Sequence, residues 1–543
     1  PGRHHARARR RWPAVAGARP ALPVVPAGTT KGRMGIGISE WGTTARAAEL
    51  PGSGRETRVS RGLRRALGVA LAAAALMAGL GACGSGGNAT DTSADVTLNR
   101  GQESSVPFRT SADGEVLLDL TTAAPGVSWE TPGSESAVVS LFVDNTYATD
   151  VVIPASFPIR RSLALGHLAA GGHTLRASFA GDRSPRGAAS ARLRALTFRT
   201  VTPQEPGYQA LAHAPVIYGR ATPLGAGAAP NPLAGGPFQN AVTDTPLVAF
   251  HTEAPTPITG HRLLTYSVVW SNEDGGTSTP ALMAQWGRTT DIEWAYQVEI
   301  DAAGNAIPGS AVIQAPEHAI TAFNGRFEGT HAVLGTCSDN NGMCSNPDGR
   351  MRFALSTADA LDPNADARER EMDANPWTYW VMSQEVAREG KVDDEKAPNS
   401  ATKISNPRNY LYLLIRKSTV GPANTDTSWV GLSVGVRLSG SGQTYRSSKI
   451  YPAWAIQRDA PAATAVELPP GTVAEDISTI EATRTVGAGG DRGARIQVDS
   501  IERAFLLGPN YQPQPSFLFT PAKATLSAAA PTAVLYRRPT GPS

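Results

Sequence analysis

The sequence predicts an all-β protein, with an N-terminal β-sandwich module followed by a larger β-sandwich domain that carries a helical insertion. Three observations predict this. Short runs of alternating apolar and polar residues recur between Gly-rich turns. Helical periodicity is confined to one charged stretch around Trp377 and Trp380. The chain that follows the leader, about 460 residues, exceeds what one ordinary core accommodates.

The leader comes first. Residues 1–58 are rich in Arg, Pro, Ala and Gly without periodicity, and read as translation upstream of the true start. Val59 is the expected start, since a GTG codon initiates with Met. Residues 59–82 have the order of an export signal: Arg61, Arg64 and Arg65, then an apolar run from Ala66 to Leu80. The run ends in Leu80-Gly81-Ala82-Cys83, followed by Gly84-Ser85-Gly86-Gly87-Asn88. This ending resembles the bacterial lipobox, in which the Cys is lipidated and becomes the new N-terminus. Cys83 is therefore the expected lipidation site, and the expected location is extracytoplasmic, anchored to the cell membrane by lipid. The competing readings are an ordinary signal peptide and a single membrane helix. For the latter the run is at the short limit of about 17 residues.

Processing reverses the charge. Residues 1–82 hold 14 of the 50 Lys and Arg but only 3 of the 47 Asp and Glu. The remainder carries 36 basic and 44 acidic residues, a net charge of −8. Basicity thus belongs to the leader, no basic patch with interleaved aromatics follows, and nucleic acid is excluded as an expected partner. Cys337 and Cys344 are left as a pair once Cys83 is assigned to lipid. In an oxidising compartment they are expected to form a disulfide. A zinc site is the rival, but it lacks a Cys-x-x-Cys or a His pair at ligand spacing.

Residues 83–95 read as a polar tether. Residues 96–202 form the expected accessory sandwich, with strands such as 115–120, 137–143 and 173–179. The stretch from Gly166 to Leu175 resembles the late hairpin of accessory sandwich modules of secreted glycan-active proteins. Gln204-Glu205-Pro206-Gly207 marks a boundary, and residues 205–540 form the expected large sandwich. Its strands include 263–270, 409–415 and 429–436, and its helical insertion spans residues 365–391.

The densest chemistry lies between Trp286 and Asp301. From Asp291 the residues alternate, so Ile292, Trp294, Tyr296, Val298 and Ile300 share one face. Asp291, Glu293, Gln297 and Glu299 share the other, which places Asp291 and Glu293 within reach of one cation or sugar. The turn at Asn272-Glu273-Asp274-Gly275-Gly276 adds two carboxylates. Oxygen ligands of this kind suit Ca²⁺ or Mg²⁺, the expected cofactor class. The bland alternative is a half-buried strand with a solvated acidic face. His331 is expected at a strand start; facing the carboxylates, it would serve as a base or complete a metal site. Asp339-Asn340-Asn341-Gly342 is oxygen-rich but lacks the spacing of a calcium loop.

These motifs carry a family resemblance. Ala214-Pro215-Val216-Ile217, then 264–270, Gly287…Asp291-Ile292-Glu293 and 329–334 resemble a β-sandwich superfamily. It includes the plant and fungal vacuolar-sorting-associated family and, more remotely, the necrosis- and ethylene-inducing cytolysins. The similarity covers residues 211–336. In the cytolysins a Gly-His-Arg-His-Asp-Trp-Glu segment ligates a divalent cation beside a pocket for sphingolipid sugars. Here the same register reads Gly287-Arg288-Thr289-Thr290-Asp291-Ile292-Glu293, so Asp and Glu match while Arg288 and Thr290 replace both His. The expected binding residues are Asp274, Arg288, Asp291, Glu293 and His331, with Asp291 and Glu293 as the pair that matches the family's ligands. The leading expectation is a surface-anchored lipoprotein that recognises glycan or glycolipid. The alternatives are a polysaccharide hydrolase or lyase using Asp291, Glu293 and His331, and a structural envelope lipoprotein.

Overall fold

The computed structural model describes residues 89–221, 238–273 and 277–539. Cys83, the export signal, residues 1–58 and Asp274 lie outside the described residues. Three pairs of sheets follow one another along the chain. The first pair uses β1 (Ala89–Asn99), β2 (Glu103–Thr110), β3 (Gly114–Ala123) and β4 (Ala137–Val143). It is completed by β5 (Thr146–Ile153), β6 (Ile159–Leu168), β7 (Gly171–Phe179) and β8 (Ser190–Val201). The sheet orders are β1-β8-β3-β6 and β2-β7-β4-β5, antiparallel throughout.

After the short helix α1 (Tyr208–Ala212), the second pair begins with β9 (Val216–Tyr218), β10 (Pro246–Pro255) and β11 (Arg262–Trp270). Helix α2 (Thr279–Trp286) then leads into β12 (Ile292–Ile300), β13 (Val312–Gln314) and β14 (Ile320–Ala322). The facing sheet uses β15 (Phe327–Glu328), β16 (His331–Thr336), β17 (Met343–Cys344) and β18 (Arg352–Phe353). One sheet runs β10-β11-β12-β13-β14; the other runs β15-β16-β9-β18, with β17 on β16 and β9 parallel to β16.

The expected helical insertion is present as α3 (Arg370–Ala374) and α4 (Trp377–Arg388). Beyond it come β19 (Tyr410–Val420), β20 (Val430–Leu438), β21 (Thr444–Arg446) and β22 (Ala460–Glu467). The chain closes with β23 (Ile477–Val486), β24 (Arg495–Phe505), β25 (Thr520–Leu526) and β26 (Thr532–Arg537). Their orders are β22-β19-β24-β25 and β21-β20-β23-β26. No helix among the described residues is long and apolar enough to cross a membrane.

Two expectations about segments change. Residues 205–540 carry four sheets, where the sequence pattern suggested one sandwich. Strand β19 explains why: Leu411, Leu413 and Ile415 face the third core, while Tyr410 and Tyr412 face a separate core shared with α4. Both faces are buried, so its near-continuous apolar run belongs to two cores at once. The second half of the expected tether is also not a tether. Residues 89–95 lie in β1, paired with β8, and the Val96 and Leu98 alternation that continues it is buried.

The first and second sandwiches share one apolar cluster, running from Val96 to Val381. Polar pegs cross the same junction. The Ala354 amide donates to Thr149 Oγ1 at 3.0 Å, and its carbonyl accepts from the Ala164 amide at 3.0 Å. The buried Arg161 donates to Val152 and Leu247 carbonyls, each at 3.1 Å, and lies 4.9 Å from the Trp377 ring centroid. Burial lowers its pKa to about 10. Trp129, fully buried, donates its indole N–H to Glu385 Oε2 of α4 at 2.5 Å.

Trp129→Phe keeps most of the apolar volume but leaves a buried carboxylate oxygen without that donor. The expected loss is about 1–3 kcal/mol in urea unfolding followed by circular dichroism. A loss under about 0.5 kcal/mol, the range of inert surface changes, would mean that this bond does not hold the junction.

Candidate functional site

Asp291 and Glu293 are brought together, but on a face that simple alternation does not give. Strand β12 pairs with β11 as Tyr266↔Tyr296 and then Ser267↔Trp294, which leaves Ala295 as the extra residue of a β-bulge. The bulge exchanges the faces. Beyond it, Tyr296, Val298 and Ile300 point into the core shared with the first sandwich. Before it, Ile292 points the other way, into the core shared with α4, beside Val269. Glu293 stands opposite Val268, whose side chain faces the first of these cores. Asp291 and Glu293 therefore point between the two sheets of the second sandwich, at its end. Glu299, expected beside them, lies across the bulge and binds His261 Nδ1 at 2.8 Å.

The solvated acidic face is thus corrected for Asp291, which is 2 % exposed. Its Oδ2 accepts from the Asn341 amide at 2.9 Å, and Asn341 also donates to the Asn272 carbonyl at 3.3 Å. Asn341 adopts a φ of 49°, a left-handed conformation that Asn tolerates better than most residues. Glu293 Oε2 accepts from the Gln314 amide at 3.0 Å, and Arg368 stands 3.8 Å away. Burial, then the charges of Glu293 and Glu273, hold the Asp291 carboxyl well above the usual carboxylate range. Burial likewise pushes Glu273 up to about 7, against the pull of Arg288 and with the push of Glu293. Three carboxyl groups share one poorly solvated end of the sandwich.

Two buried oxygens there have no hydrogen-bond partner: Asn341 Oδ1 and Gln314 Oε1. Among the described residues, no group of three or more His, Cys, Asp or Glu side chains is arranged to hold a metal ion. A donor set that includes amide oxygens is of the hard-cation type, suited to Ca²⁺ or Mg²⁺. Sequence reasoning placed Asn341 in an oxygen-rich segment and Glu273 in a carboxylate turn. Gln314 carried no signal, because one amide on a short strand has no pattern.

Arg288 and His331 go elsewhere. Arg288, 2 % exposed, donates Nε–H to Glu369 Oε1 at 3.1 Å and a second N–H to the Thr290 carbonyl. Its charge reaches Asp291 and Glu273 through space. His331 begins β16, whereas Asn341 lies beyond that strand's other end; six residues of strand span about 17 Å. Its Nδ1 meets the Ala214 carbonyl at 2.9 Å, and its Nε2 lies 3.4 Å from Glu115 Oε2 of the first sandwich. Glu115 also stands 3.4 Å from His167 Nδ1. The expected trio of Asp291, Glu293 and His331 does not converge.

Cys337 and Cys344 stand as free thiols, not as the expected bridge. A hairpin sets them side by side, with the Cys337 thiol donating to the Gly342 carbonyl at 3.5 Å and the Cys344 thiol to the Gly335 carbonyl at 3.4 Å. Their proximity raises the Cys337 thiol and lowers Cys344. The loop they enclose is tied down at each step. Asp339 pairs with buried Arg220, Asn340 Nδ2 lies 3.3 Å from His318 Nε2, and Asn341 holds Asp291.

The His331 junction makes stability depend on pH. Burial disfavours its protonation, but the bond and charge of Glu115 outweigh burial and raise its pKa above the ordinary His value. His213, whose own pKa burial lowers, and Arg352 both oppose that charge. A raised folded-state pKa contributes stability that is complete below about pH 6.5 and is lost as pH rises through the folded value. Melting curves from pH 5.5 to 8.5 should show this loss in the parent and not in His331→Gln. Parallel profiles would exclude the pair as the cause.

No protein-family model matches the chain, and no curated protein does. Solved structures are similar over parts of it. The CBM36-1 domain of a multidomain xylanase from the hindgut metagenome of Trinervitermes trinervoides is 12 % identical, with a TM-score of 0.17, over 21 % of this chain and 88 % of that one. A carbohydrate-binding module of Cellvibrio mixtus lichenase 5A in complex with cellotriose is 14 % identical, with a TM-score of 0.15, over 22 % and 89 %. A CBM36 module in complex with calcium and xylotriose is 14 % identical, with a TM-score of 0.15, over 21 % and 87 %.

Proposed function

We propose that this chain is a glycan-recognising β-sandwich protein, exported and held at the outer face of the cell membrane by lipid on Cys83. Recognition takes place at the end of the second sandwich where Asp291 lies. The observation that carries the reading is the position of the carboxylate centre. It sits beneath the loop from Cys337 to Asn346 and fixes it through Asn341, while Asn346 at the loop's far end is exposed to solvent. Asp291 itself is too buried to touch a sugar. Its role is to set the loop, together with a hard cation held by Asp291, Glu293 and the free oxygens of Asn341 and Gln314. The motif resemblance across residues 211–336 supports the same pairing of cation and sugar, with Arg288 diverted to Glu369.

A cation that binds only the folded state stabilises it by about 2.7 kcal/mol at a hundredfold excess over Kd. The melting temperature should therefore rise with Ca²⁺ or Mg²⁺ and fall with chelator, and Asp291→Asn with Glu293→Gln should abolish the response. Binding to an array of oligosaccharides should weaken in the same variant. A flat melting temperature removes the cation, and unchanged array binding removes the carboxylate centre from recognition.

Anchoring is tested separately. Expressed from Val59, the protein should incorporate a fatty-acid probe and partition with membranes, and Cys83→Ser should release it. Identical partitioning of the two would overturn the anchor.

A further inference from the structure

An open cleft of about 590 Å³ lies beside the recognition loop, within the range of about 300–1,000 Å³ typical of small-molecule sites. One wall is Asn324-Gly325-Arg326, which leads into β15. The other is Ser345-Asn346-Pro347, which leaves β17, and Tyr218 at the end of β9 lies between them. The two walls are built against each other. The Asn324 amide donates to Ser345 Oγ at 3.2 Å. A Cβ on Gly325 would stand 2.3 Å from the Ser345 carbonyl oxygen, and one on Gly349 would stand 1.6 Å from that of Gly219. Glycine at these positions lets the backbones close the floor.

The lining has the chemistry of a hydroxyl-rich, uncharged ligand. Asn324 and Asn346 are exposed, and among the described residues neither side-chain amide has a hydrogen-bond partner. Each presents two donors and an acceptor, which match the alternating acceptors and donors of a polyol. The charged residue of the lining, Arg326, is paired within the protein. Arg326 donates to Glu328 at 2.6 Å, and Arg352 donates to the same Glu328 at 2.6 Å. Glu328, shared by two guanidinium groups, sets a competing negative charge beside the cleft.

We infer that this cleft is the sugar-binding subsite, and that it takes an uncharged oligosaccharide. The inference rests on the glycan reading proposed above and names the surface and the ligand class. The carboxylate centre then acts at a distance, because the loop it fixes through Asn341 continues into Ser345 and Asn346.

The test uses the full exported chain, with cellotetraose, xylotetraose and mannotetraose as uncharged probes and tetragalacturonate as the acidic one, titrated by calorimetry. At least one uncharged probe should bind. Asn324→Ala combined with Asn346→Ala should raise its Kd tenfold or more with the melting temperature unchanged, since neither side chain bonds within the protein. Gly325→Ala, which drives the walls apart, should weaken binding as well. Equal affinity in the parent and the double-Asn variant, or binding of tetragalacturonate alone, overturns the cleft while leaving glycan recognition intact. Failure of every probe and of the wider array overturns both.

Discussion

The arrangement of the modules depends on a carboxylate that is expensive to bury. Glu385 is fully buried in α4, and its pKa is pushed up to about 7 by desolvation despite the adjacent Arg388. Such a group is tolerated only when its oxygens are supplied with donors. Trp129 of the first sandwich, Thr243 from the loop before β10, and Arg388 one turn along the helix supply them. Removing any one leaves the others bonded to an under-supplied charge. The same contact that satisfies Glu385 therefore fixes where the first sandwich meets the second. Apolar packing across the junction supplies the larger driving force but little direction; the Trp129 and Arg161 contacts supply the register.

That junction accounts for His331. Sequence order places this histidine thirty-eight residues beyond Glu293, and nothing in the pattern says that a whole strand separates them in space. Its partner, Glu115, belongs to another sandwich, and a contact between modules leaves no periodic trace in either. The adjacency of Asp291 and Glu293 was legible, because a period of two holds over any three residues of strand. The face they occupy was not. The Ala295 bulge is set by pairing with β11 and by packing of Ala295 into the core, and the apolar and polar alternation reads smoothly through it.

The same logic separates what was legible in the fold. The helical insertion announced itself by its charged residues around Trp377 and Trp380, since a change of period from two to 3.6 is a local property. The division of residues 205–540 into two pairs of sheets was hidden, because Leu411, Leu413 and Ile415 alternate in the same way whichever sheet they face. Strand β1 was read as tether for a related reason. Its first residues, Ala89 to Asp95, are small and polar, and only pairing with the long β8 makes them strand.

A single loop now joins the parts that sequence could list but not connect. Between Cys337 and Pro347 the chain touches Arg220, His318, Asp291 and Asn324 in turn. Each contact removes freedom from backbone that would otherwise be costly to order on binding. Asn341 is the contact that faces inward, and it leaves one oxygen unpaired beside Asp291, whose carboxyl burial holds well above the usual range, and near Glu273, pushed by burial up to about 7. A hard cation there would offset the crowded carboxyl charge and use that oxygen, stiffening the loop without touching the cleft. Sugar affinity would then change through the cost of ordering Ser345 and Asn346, not through any bond between cation and sugar. This division of labour reconciles a buried acidic centre with a neutral, solvent-facing cleft.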